Sequence, residues 1–554
     1  MLKIKNNQIV FFTSVLFIFF LGVFLRFVKL ETINHGFYVD EATIGYNAYS
    51  ILKTGKDEYG KLFPFLFRSF GDYKMPVYIY FSVIPIAILG LNPFSVRFIS
   101  ALSGSLTIIC IFLLMREMFG MKRKWLPVIG ALVFALSPWS VFFSRGAFES
   151  NLALFFLTFG IYLFIKGFKN NSFLLVVSLI ILAFSTYTYH AERLIIFLFF
   201  LLFFVLFKRE TVSRWNRIRL PMIIGFFVFF LLEIPQLIGC LYPAGQVRFK
   251  TLSLLQQDFL LKNVWEVFSQ YAAYFSPRNL FFNPDSDLQR SLPELSVFYP
   301  WMVIPYFFGL WHLIRYHNDF GEKLTIVLLL ISPVAASLTG DPFSSLRSQP
   351  LLLPMTMVIS LGLYYLISLV KNKILKIMGI LLIVFFSLVS FYRSNFILLP
   401  RERFSVWKYG FSELTENLTR YKNEKILIDD PEGTSYVELL FFLKYNPEDY
   451  QRTISPRILA EYYKNVDWNK KSSFANIEVW RVEWKKDVYK NQIIVGGPLS
   501  ISEEQAKEHF LKTIFIVGDP EGKPIFNGFI TNPDLKIKDD LRKLKLKKQK
   551  EKSI

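Results

Sequence analysis

The chain has 554 residues, of which 53% are hydrophobic and 18% aromatic, and its mean hydropathy is positive. A soluble core of this size would not need so many uninterrupted apolar runs, so the composition predicts a polytopic α-helical membrane protein. The net charge of +20 lies largely in short hinges between apolar runs, as the positive-inside rule expects, and this argues against nucleic acid as a partner. The two cysteines both lie inside apolar runs and exclude a disulfide framework.

Apolar runs of spanning length recur eleven times along the first 392 residues. The first resembles a signal peptide, but it is too long and lacks a small-residue cleavage site, so we interpret it as a retained span. Some runs are shorter than the roughly 20 residues that a bilayer needs, so their ends are approximate. The predicted spans are 9–30, 95–115, 125–143, 151–168, 172–189, 193–207, 220–241, 296–314, 323–338, 350–370 and 374–392.

The segment 76–89 decides the predicted topology. Its 14 residues, interrupted by Pro85, reach about 21 Å as a helix, which is short of the ~30 Å hydrocarbon core. If it does not span, eighteen Lys and Arg residues of the short loops face one side, and only Arg145, Arg193 and Arg347 face the other. We therefore predict an interfacial or re-entrant helix at 76–89 and a cytoplasmic N-terminus.

Under this topology the first loop (31–94), the large loop (242–295) and everything after Tyr392 lie outside the cell. Residues 394–554 are polar and contain short strand-like runs at 425–429, 477–481 and 514–517, with a helical stretch around 503–511. We predict a transmembrane domain over 1–393 and an extracytoplasmic soluble α/β domain over 394–554. The lysine-rich tail 536–552 is predicted to be solvated or disordered.

The carboxylate pair Asp40-Glu41 is the most informative feature of the first loop. Asp40 could cap a helix over 41–52, whose Ile44, Ala48, Ile51 and Leu52 share one face. It could also act as a general base toward an acceptor hydroxyl, and a cap would hold the carboxylate in place for that purpose. Both interpretations can hold together.

Other chemistry-bearing side chains lie at the outer hinges. Asp72 and Lys74 could form a surface salt bridge, or Lys74 could orient Asp40 or bind a phosphate oxygen. Arg145 and Glu149 have the spacing of a helical ion pair, and His190 lies in a Tyr-rich hinge typical of an aromatic belt. No single hinge establishes a functional site. The prediction of a site rests on all of these hinges lying on the same face of the membrane.

The hinge from Asp341 to Arg347 follows a Gly/Pro turn into a span. A lone arginine there is costly unless it is paired or snorkels, and a lipid phosphate is a good bidentate partner for a guanidinium. In the large loop, Asp285 and Asp287 alternate, but neither the glycine nor the Glu of an EF-hand follows, so a turn is favoured over a cation site.

Taken together, these motifs resemble the GT-C superfamily of polyprenyl-phosphate-sugar-dependent glycosyltransferases, in the branch of the protein O-mannosyltransferases and the aminoarabinose transferase of lipid A. The matching pieces extend from about residue 20 to 365 and are Tyr38-Val-Asp-Glu-Ala, Asp72-Tyr-Lys-Met-Pro-Val-Tyr, Val96-Arg-Phe-Ile-Ser-Ala-Leu-Ser-Gly104, Ser144-Arg-Gly-Ala-Phe-Glu-Ser-Asn151, Tyr189-His190 and Asp341-Pro to Leu-Arg347. Two places depart from the pattern. The usual Lys-Pro-Pro is Lys74-Met-Pro76, and Gln289-Arg290 stands where relatives tend to have Arg-His.

The resemblance implies a GT-C-like fold of about eleven spans plus interfacial helices, with Asp40 as the catalytic carboxylate and Lys74 and Arg347 near the donor phosphate. From this we predict that Glu41 tunes Asp40 and that Arg145 and His190 join the donor site. Asp72, Glu149 and Asp341 are predicted as supporting residues.

The predicted activity is inverting transfer of a sugar from a polyprenyl phosphate, at the outer face of the cell membrane, to a protein, lipid or glycan acceptor. Whether the protein uses a divalent metal ion as a cofactor stays open, because some relatives use one and others do not. The sequence shows no cluster of metal ligands. The alternatives are a transporter or flippase of a lipid-linked or anionic solute, and a structural or sensory membrane protein. Charges buried within spans and two matching halves with broken helices would favour transport. The charges here lie mostly at span ends.

Overall fold

The computed structural model describes residues 2–32, 35–120, 123–252, 254, 261–468 and 470–552. The part before about residue 400 is mostly helical. Its helices are α1 (Leu2–Phe27), α2 (Val39–Thr54), α3 (Pro76–Leu89), α4 (Pro93–Phe119), α5 (Leu126–Leu136), α6 (Pro138–Arg145), α7 (Glu149–Lys169), α8 (Phe173–Thr186), α9 (Ala191–Leu206), α10 (Lys208–Gly239), α11 (Pro243–Leu252), α12 (Leu261–Ala273), α13 (Val303–Arg315), α14 (Phe320–Ile331), α15 (Val334–Ser337), α16 (Leu352–Leu369), α17 (Lys373–Tyr392) and α18 (Leu399–Glu402). One antiparallel hairpin interrupts them, formed by β1 (Phe67–Ser69) and β2 (Asp72–Lys74).

Each of the eleven predicted spans corresponds to a helix or a bent helix pair. Within the described ranges, seven helical segments are long and apolar enough to cross a membrane, or eight if α5 and α6, bent by 53°, form one span. The other three predicted spans form the shorter helices α8, α9 and α13, of 14, 16 and 13 residues. The prediction of a polytopic α-helical membrane protein is confirmed.

The disputed segment 76–89 forms the helix α3, of 14 residues. Pro76 occupies its first turn, where the missing N–H costs no hydrogen bond, and Pro85 lies inside it. Its buried face, which includes Tyr78 and Ile79, packs against α4. The length agrees with a helix too short to span, while its depth in a bilayer and the cytoplasmic N-terminus stay predictions.

Close backbone approach and a lipid-facing surface characterise the helical bundle. α13 crosses α16 at Gly362, where an added Cβ would lie 1.8 Å from the carbonyl oxygen of Pro305. Only glycine permits this approach, and van der Waals packing of this kind drives helix association in lipid. The large apolar side chains that stay exposed are concentrated on α1, α10 and α17, as expected for helices at the lipid boundary.

Contacts divide the chain into two compact units. Unit 1 comprises residues 1–32, 64–399 and 463–466, and unit 2 comprises 33–63, 400–462 and 467–554. The predicted division at 393/394 assigned the whole first loop to the transmembrane part. Instead, 33–63 belongs with the C-terminal residues, and the four residues Tyr463–Val466 belong with the helical bundle. The assignment of these two segments depends on contacts between residues about 400 positions apart. A local sequence pattern contains no information about such contacts.

Unit 2 contains a mixed six-stranded sheet with the strand order β4-β5-β3-β6-β8-β7. β3 pairs in parallel with β5 and β6, and the remaining pairs are antiparallel. The predicted soluble α/β domain is confirmed, since all three strand-like runs form strands. The elements are α19 (Phe411–Leu418), β3 (Ile426–Asp429), α20 (Tyr436–Phe442), α21 (Pro447–Gln451), α22 (Pro456–Ala460), β4 (Ser472–Phe474), β5 (Ile477–Trp480), α23 (Trp484–Asp487), β6 (Ile493–Gly496), α24 (Glu503–Glu508), β7 (Lys512–Gly518), β8 (Pro524–Ile530) and α25 (Pro533–Lys552).

The lysine-rich tail differs from a disordered end. It forms α25, a helix of 20 residues, and its side chains from Leu541 to Glu551 are exposed to solvent. The i,i+4 ion pairs Lys536–Asp540 and Lys543–Asp539 support the helix. The tail is therefore solvated, as predicted, but ordered.

Candidate functional site

A cavity of about 470 Å³ lies in unit 1. Its wall combines the start of α9, the end of α10, part of α11 and the segment that follows α15. The lining is largely apolar but includes three arginines and one histidine. The residues are Tyr189, His190, Ala191, Arg193, Leu194, Cys240, Gly245, Gln246, Arg248, Ala335, Leu338, Thr339 and Arg347. The structure thus brings together two of the predicted donor-site residues, His190 and Arg347.

The β1–β2 hairpin brings Asp72 into contact with Arg248, which lines this cavity. Nε of Arg248 donates to Oδ2 of Asp72 over 2.7 Å, so Asp72 forms an ion pair with an arginine of the large loop. Burial opposes the charge of Arg248, but the Asp72 carboxylate outweighs it and raises the pKa of the guanidinium. Lys74 ends the same strand, directly after Tyr73, whose backbone hydrogen-bonds to the ring of His190. Lys74 is buried and is not among the lining residues.

Arg347 is held at the cavity by Asp341. Nη1 of Arg347 forms an ion pair with Oδ2 of Asp341. Nη2 of Arg290 also approaches this carboxylate oxygen, at 3.4 Å, and its Nη1 donates to Oγ of Ser344 over 2.6 Å. Arg290, left open by the sequence comparison, therefore helps to fix the hinge that carries Arg347.

Asp285 and Asp287 form a turn, as the sequence indicated. The backbone N–H of Asp287 donates to Oδ1 of Asp285 over 3.0 Å, and the other oxygen of Asp285 accepts from the backbone N–H of Ser345 over 2.8 Å. Among the described residues, no group of three or more His, Cys, Asp or Glu side chains is arranged to hold a metal ion.

Two nitrogens of the cavity-lining residues lack hydrogen-bond partners in the described part of the chain. They are Nε2 of His190 and Nε of Arg193, and both are buried. Burial, reinforced by Arg248 and Arg193, lowers the pKa of His190 well below its usual range, so the imidazole is neutral. Arg193 donates one bond, over 3.3 Å, to the weak acceptor Sδ of Met75 and forms no ion pair with a described carboxylate. Glu233 lies close enough for its charge to act on Arg193, but accepts its hydrogen bond from Thr186. Buried polar atoms normally have partners, so these two are suited to a ligand.

Arg145 has a different setting. Its Nη1 donates to the carbonyl oxygens of Leu25 and Val28, each over 2.9 Å, and its guanidinium lies 5.0 Å from the ring centre of Phe396. These bonds satisfy carbonyls at the C-terminal end of α1, which a helix cannot pair internally. Neither Arg145 nor Glu149, which begins α7, lines the cavity. A part for them in donor binding stays a prediction.

Asp40 and Glu41 lie in unit 2, in the first turn of α2. The interpretation of Asp40 as the helix cap is wrong, because α2 begins at Val39 and Tyr38 occupies the N-cap position. Oε2 of Glu41 accepts from the backbone N–H of Tyr38 over 3.3 Å, so Glu41 performs the capping. Asp40 is partly exposed in the first turn of α2. A site shared by Asp40, Lys74 and Arg347 stays a prediction.

A second cavity, of about 760 Å³, lies between α9 and α10. It begins at Arg193, which also lines the first cavity, and extends to Lys208. The apolar lining between these two cations is dominated by six phenylalanines, and the remaining members are aliphatic. The lining residues between them are Ile196, Phe197, Phe200, Leu201, Phe204, Val205, Phe226, Phe229 and Phe230.

Sequence patterns do not single out several residues that hold important positions in the structure. Arg248 was a lone arginine in a long loop, and only its ion pair with Asp72 shows its place. Asp57, Glu58 and Glu438 are fully buried acids of unit 2. An acid in a mixed polar segment is usually exposed, so no local pattern would have singled them out.

Comparison with known proteins gives a match of part of the chain to one family model and a likeness of fold to solved structures. Residues 73–238 match the family model described as dolichyl-phosphate-mannose-protein mannosyltransferase. A search of curated proteins finds no significant match. The family match agrees with the predicted class of enzyme, a glycosyltransferase.

The solved structures that resemble this chain include ArnT from Cupriavidus metallidurans. Its complex with undecaprenyl phosphate superposes with a TM-score of 0.55 at 12% identity, over 95% of this chain and 98% of ArnT. The apo form gives 0.54 at 11% identity, over 96% and 99% of the two chains. The oligosaccharyltransferase AglB from Archaeoglobus fulgidus matches at 0.49 and 13% identity, over 79% of this chain and 64% of its own. The likeness to ArnT extends over both units and confirms the predicted GT-C fold.

Proposed function

We propose that this protein transfers a sugar from a polyprenyl-phosphate-linked donor to an acceptor at the outer face of the membrane. One observation carries the proposal. A largely apolar cavity presents three arginines and a histidine, and two of its buried nitrogens have no partner among the described residues. A phosphate at the end of an apolar chain matches both properties. The undecaprenyl phosphate bound by ArnT, and the lipid-linked mannose in the family description, support this donor class.

The donor phosphate would lie against Arg193, Arg248 and Arg347. Arg248 and Arg347 are held in place by Asp72 and Asp341, while Arg193 has no carboxylate partner among the described residues. Fixed donors of this kind stabilise the charge that collects on a leaving phosphate without having to reorganise. A phosphate leaves readily once its charge is stabilised, so no general acid is needed at that oxygen.

The second cavity would hold the isoprenoid tail. Because Arg193 lines both cavities, a lipid whose phosphate lies in the first can continue along the phenylalanines between α9 and α10. The groove follows α9 from Arg193 to Leu206, which is about 20 Å at 1.5 Å per residue, and ends at Lys208. It could therefore hold the first several isoprene units.

Asp40 would act as the general base. It would accept the proton of the acceptor hydroxyl as the acceptor oxygen attacks the anomeric carbon and the bond to the donor phosphate breaks. A single displacement of this kind inverts the anomeric configuration. The acceptor could be a protein hydroxyl, a lipid or a glycan. No step is derived through a metal ion, since the described residues offer no ligand cluster.

The proposal is tested with purified protein in lipid vesicles, supplied with radiolabelled polyprenyl-phosphate sugars and a panel of acceptors. We expect label to appear in an acceptor together with free polyprenyl phosphate, and the product to have the opposite anomeric configuration by NMR. Movement of labelled lipid between leaflets without transfer would instead establish a transporter. Reporter tags at the hinges near residues 145 and 347 test the sidedness, and cytoplasmic labelling of both would refute it.

A further inference from the structure

The segment Tyr463–Val466 belongs to unit 1, although the residues on either side of it belong to unit 2. It contacts the helix α11, which carries Arg248. The N–H groups in the first turn of a helix have no partner within that helix. In α11, the N–H of Ala244 donates to the carbonyl oxygen of Tyr463 over 3.2 Å. A residue of the C-terminal region therefore caps a helix that lines the cavity.

The same segment also binds the β1–β2 hairpin. Oη of Tyr463 accepts from the backbone N–H of Phe65, shortly before β1, over 3.3 Å, and the two ring centres are 4.5 Å apart. The carbonyl oxygen of Asn465 accepts from Nη1 of Arg68 over 2.8 Å and from the hydroxyl of Tyr73 over 3.4 Å. Arg68 lies in β1 and Tyr73 in β2, so the segment contacts both strands.

The ion pair between Asp72 and Arg248 joins these same two elements. Asp72 begins β2, and Arg248 lies in α11, which packs against β2. The arginine side chain has several rotatable bonds, so the direction of its guanidinium depends on how firmly its helix and its partner are fixed. The segment fixes the helix at Ala244 and the strand at Tyr73.

We infer that Tyr463 is a positioning residue for Arg248, and that the donor-phosphate site is complete only with this segment of the C-terminal region. The inference rests on the proposed function, which places the donor phosphate against Arg248. It gives residues after 394 a part in donor binding. Tyr463 is not among the residues that line the cavity, so it acts through α11 and the hairpin.

The affinity of the full-length protein for polyprenyl phosphate tests this inference. Tyr463→Ala removes the side-chain contacts with Phe65, and we expect it to weaken binding about 2- to 10-fold, as for the loss of one hydrogen bond. Lys464 is an exposed residue of the same segment, so Lys464→Gln is the matched control and should bind as the wild type does. Equal affinity of Tyr463→Ala and the wild type would overturn the inference.

A double-mutant cycle distinguishes positioning from general destabilisation, since independent effects add and coupled effects do not. In the Arg248→Gln background, Tyr463→Ala should weaken binding no further, because the side chain that it positions is gone. In the Arg347→Gln background the full effect should remain, since Arg347 is held by Asp341 instead. The same additional loss in both backgrounds would show a purely structural role and contradict the inference.

Tyr463→Phe covers the case in which Tyr463→Ala does not fold. It keeps the ring beside Phe65 and loses only the hydroxyl that accepts from the backbone N–H. We expect a smaller loss of affinity with the same dependence on Arg248. A loss that persists in the Arg248→Gln background would again contradict positioning.

Hydrogen exchange separates this inference from the proposed function, because it needs no substrate. The amides of α11 should exchange faster in the Tyr463 variant than in the wild type, while those of α16 should not change. Unchanged exchange in α11 would overturn the inference alone. A wild-type protein that does not bind polyprenyl phosphate would overturn the proposed donor site, and the positioning role with it.

Discussion

The arginines of the unit 1 cavity differ in how their charges are compensated. Arg248 and Arg347 each have a carboxylate partner, whereas Arg193 has only the sulfur of Met75. An anionic ligand gains most from the charge that the protein leaves uncompensated, since pairing with a carboxylate already uses part of the others' potential. At the scale of single residues, Arg193 is therefore the side chain whose removal should affect the ligand most and the fold least.

Arg193→Gln should weaken the binding of a polyprenyl phosphate about 10- to 100-fold, because a hydrogen bond to a charged group contributes about 1.5–3 kcal/mol. The affinity can be measured by titrating the purified protein with the lipid. Arg217→Gln is the matched control, since Arg217 donates to the carbonyl oxygens of Phe168 and Lys169 and does not line the cavity. Equal losses in both variants would remove the cavity as the phosphate site.

Asp40→Asn should lower the transfer rate by about 10²- to 10⁴-fold, the usual contribution of a positioned general base. Donor affinity should change by less than about threefold. Single-turnover transfer and lipid binding measure the two quantities separately. Glu448→Gln provides the comparison, because Glu448 is an exposed carboxylate of the same unit with no predicted part in the chemistry. Near wild-type transfer by Asp40→Asn would show that another group is the base.

At the scale of elements, α9 and α10 form a groove and α13 and α16 form a tight crossing. The groove depends on phenylalanines that face each other across two helices, such as Phe200 and Phe226, whose ring centres are 5.1 Å apart. The crossing depends on a missing side chain at Gly362. Both features come from helix pairs and not from either helix alone.

Phe226→Ala should reduce the affinity for long polyprenyl phosphates more than for short ones, because Phe226 packs against Phe204 and is the lining phenylalanine of α10 nearest the Lys208 end of the groove. The quantity to measure is the ratio of donor KM values for two chain lengths. Phe227 is 68% exposed on the same helix and does not line the groove, so Phe227→Ala should leave the ratio unchanged. A uniform effect on both lengths would place the tail elsewhere.

Gly362→Val should destabilise the bundle by about 1–3 kcal/mol or prevent its folding, since the new side chain would overlap the backbone of α13 at Pro305. Thermal unfolding in detergent reports the effect. On α17, an added Cβ at Gly379 would meet nothing within 4 Å, so Gly379→Ala should be neutral. If the two substitutions behave alike, the crossing is not as tight as the structure indicates.

At the scale of the whole molecule, the two units meet different demands. In unit 1 the backbone N–H and C=O groups form hydrogen bonds within helices, as a bilayer requires. Its large exposed apolar side chains lie mainly on α1, α10 and α17. Unit 2 buries the adjacent acids Asp57 and Glu58. Asp57 accepts from the backbone N–H groups of Tyr59 and Lys61, and Oε1 of Glu58 accepts from Asn47. The stability of unit 2 is therefore linked to pH.

Burial raises the pKa of Asp57 to about 6 and, with the charge of Asp57 added, that of Glu58 to about 8. Over this range the folded protein holds protons that the unfolded chain has released, so the free energy of unfolding falls as the pH rises from about 4 to 8. Glu58→Gln should remove roughly 2–5 kcal/mol of this fall. Its unfolding temperature should exceed that of the wild type at pH 8–9, but not at pH 5.

Thermal scans of the full-length protein across this pH range measure the effect. Glu424→Gln is the control, since Glu424 is exposed in the same unit and should leave the pH dependence as it is. If the unfolding temperature of Glu58→Gln changes with pH in the same way as that of the wild type, then Glu58 ionises normally in the folded protein.

The spans, the strands of the C-terminal domain and the GT-C resemblance could all be predicted from the sequence. A membrane span and a short buried strand are specified by which residues are apolar, and that is readable along the chain. The sequence analysis predicted that His190 and Arg347 belong to one donor site. In the structure both residues line the same cavity.

Only the tertiary structure decided the settings of the polar side chains. It assigned the cap of α2 to Glu41, placed Arg145 on the carbonyls of α1, paired Asp72 with Arg248 and enclosed Glu438. It also joined residues 33–63 to the C-terminal part in one unit. Burial and ion pairing depend on neighbours far away in the sequence, and a local pattern carries no record of them.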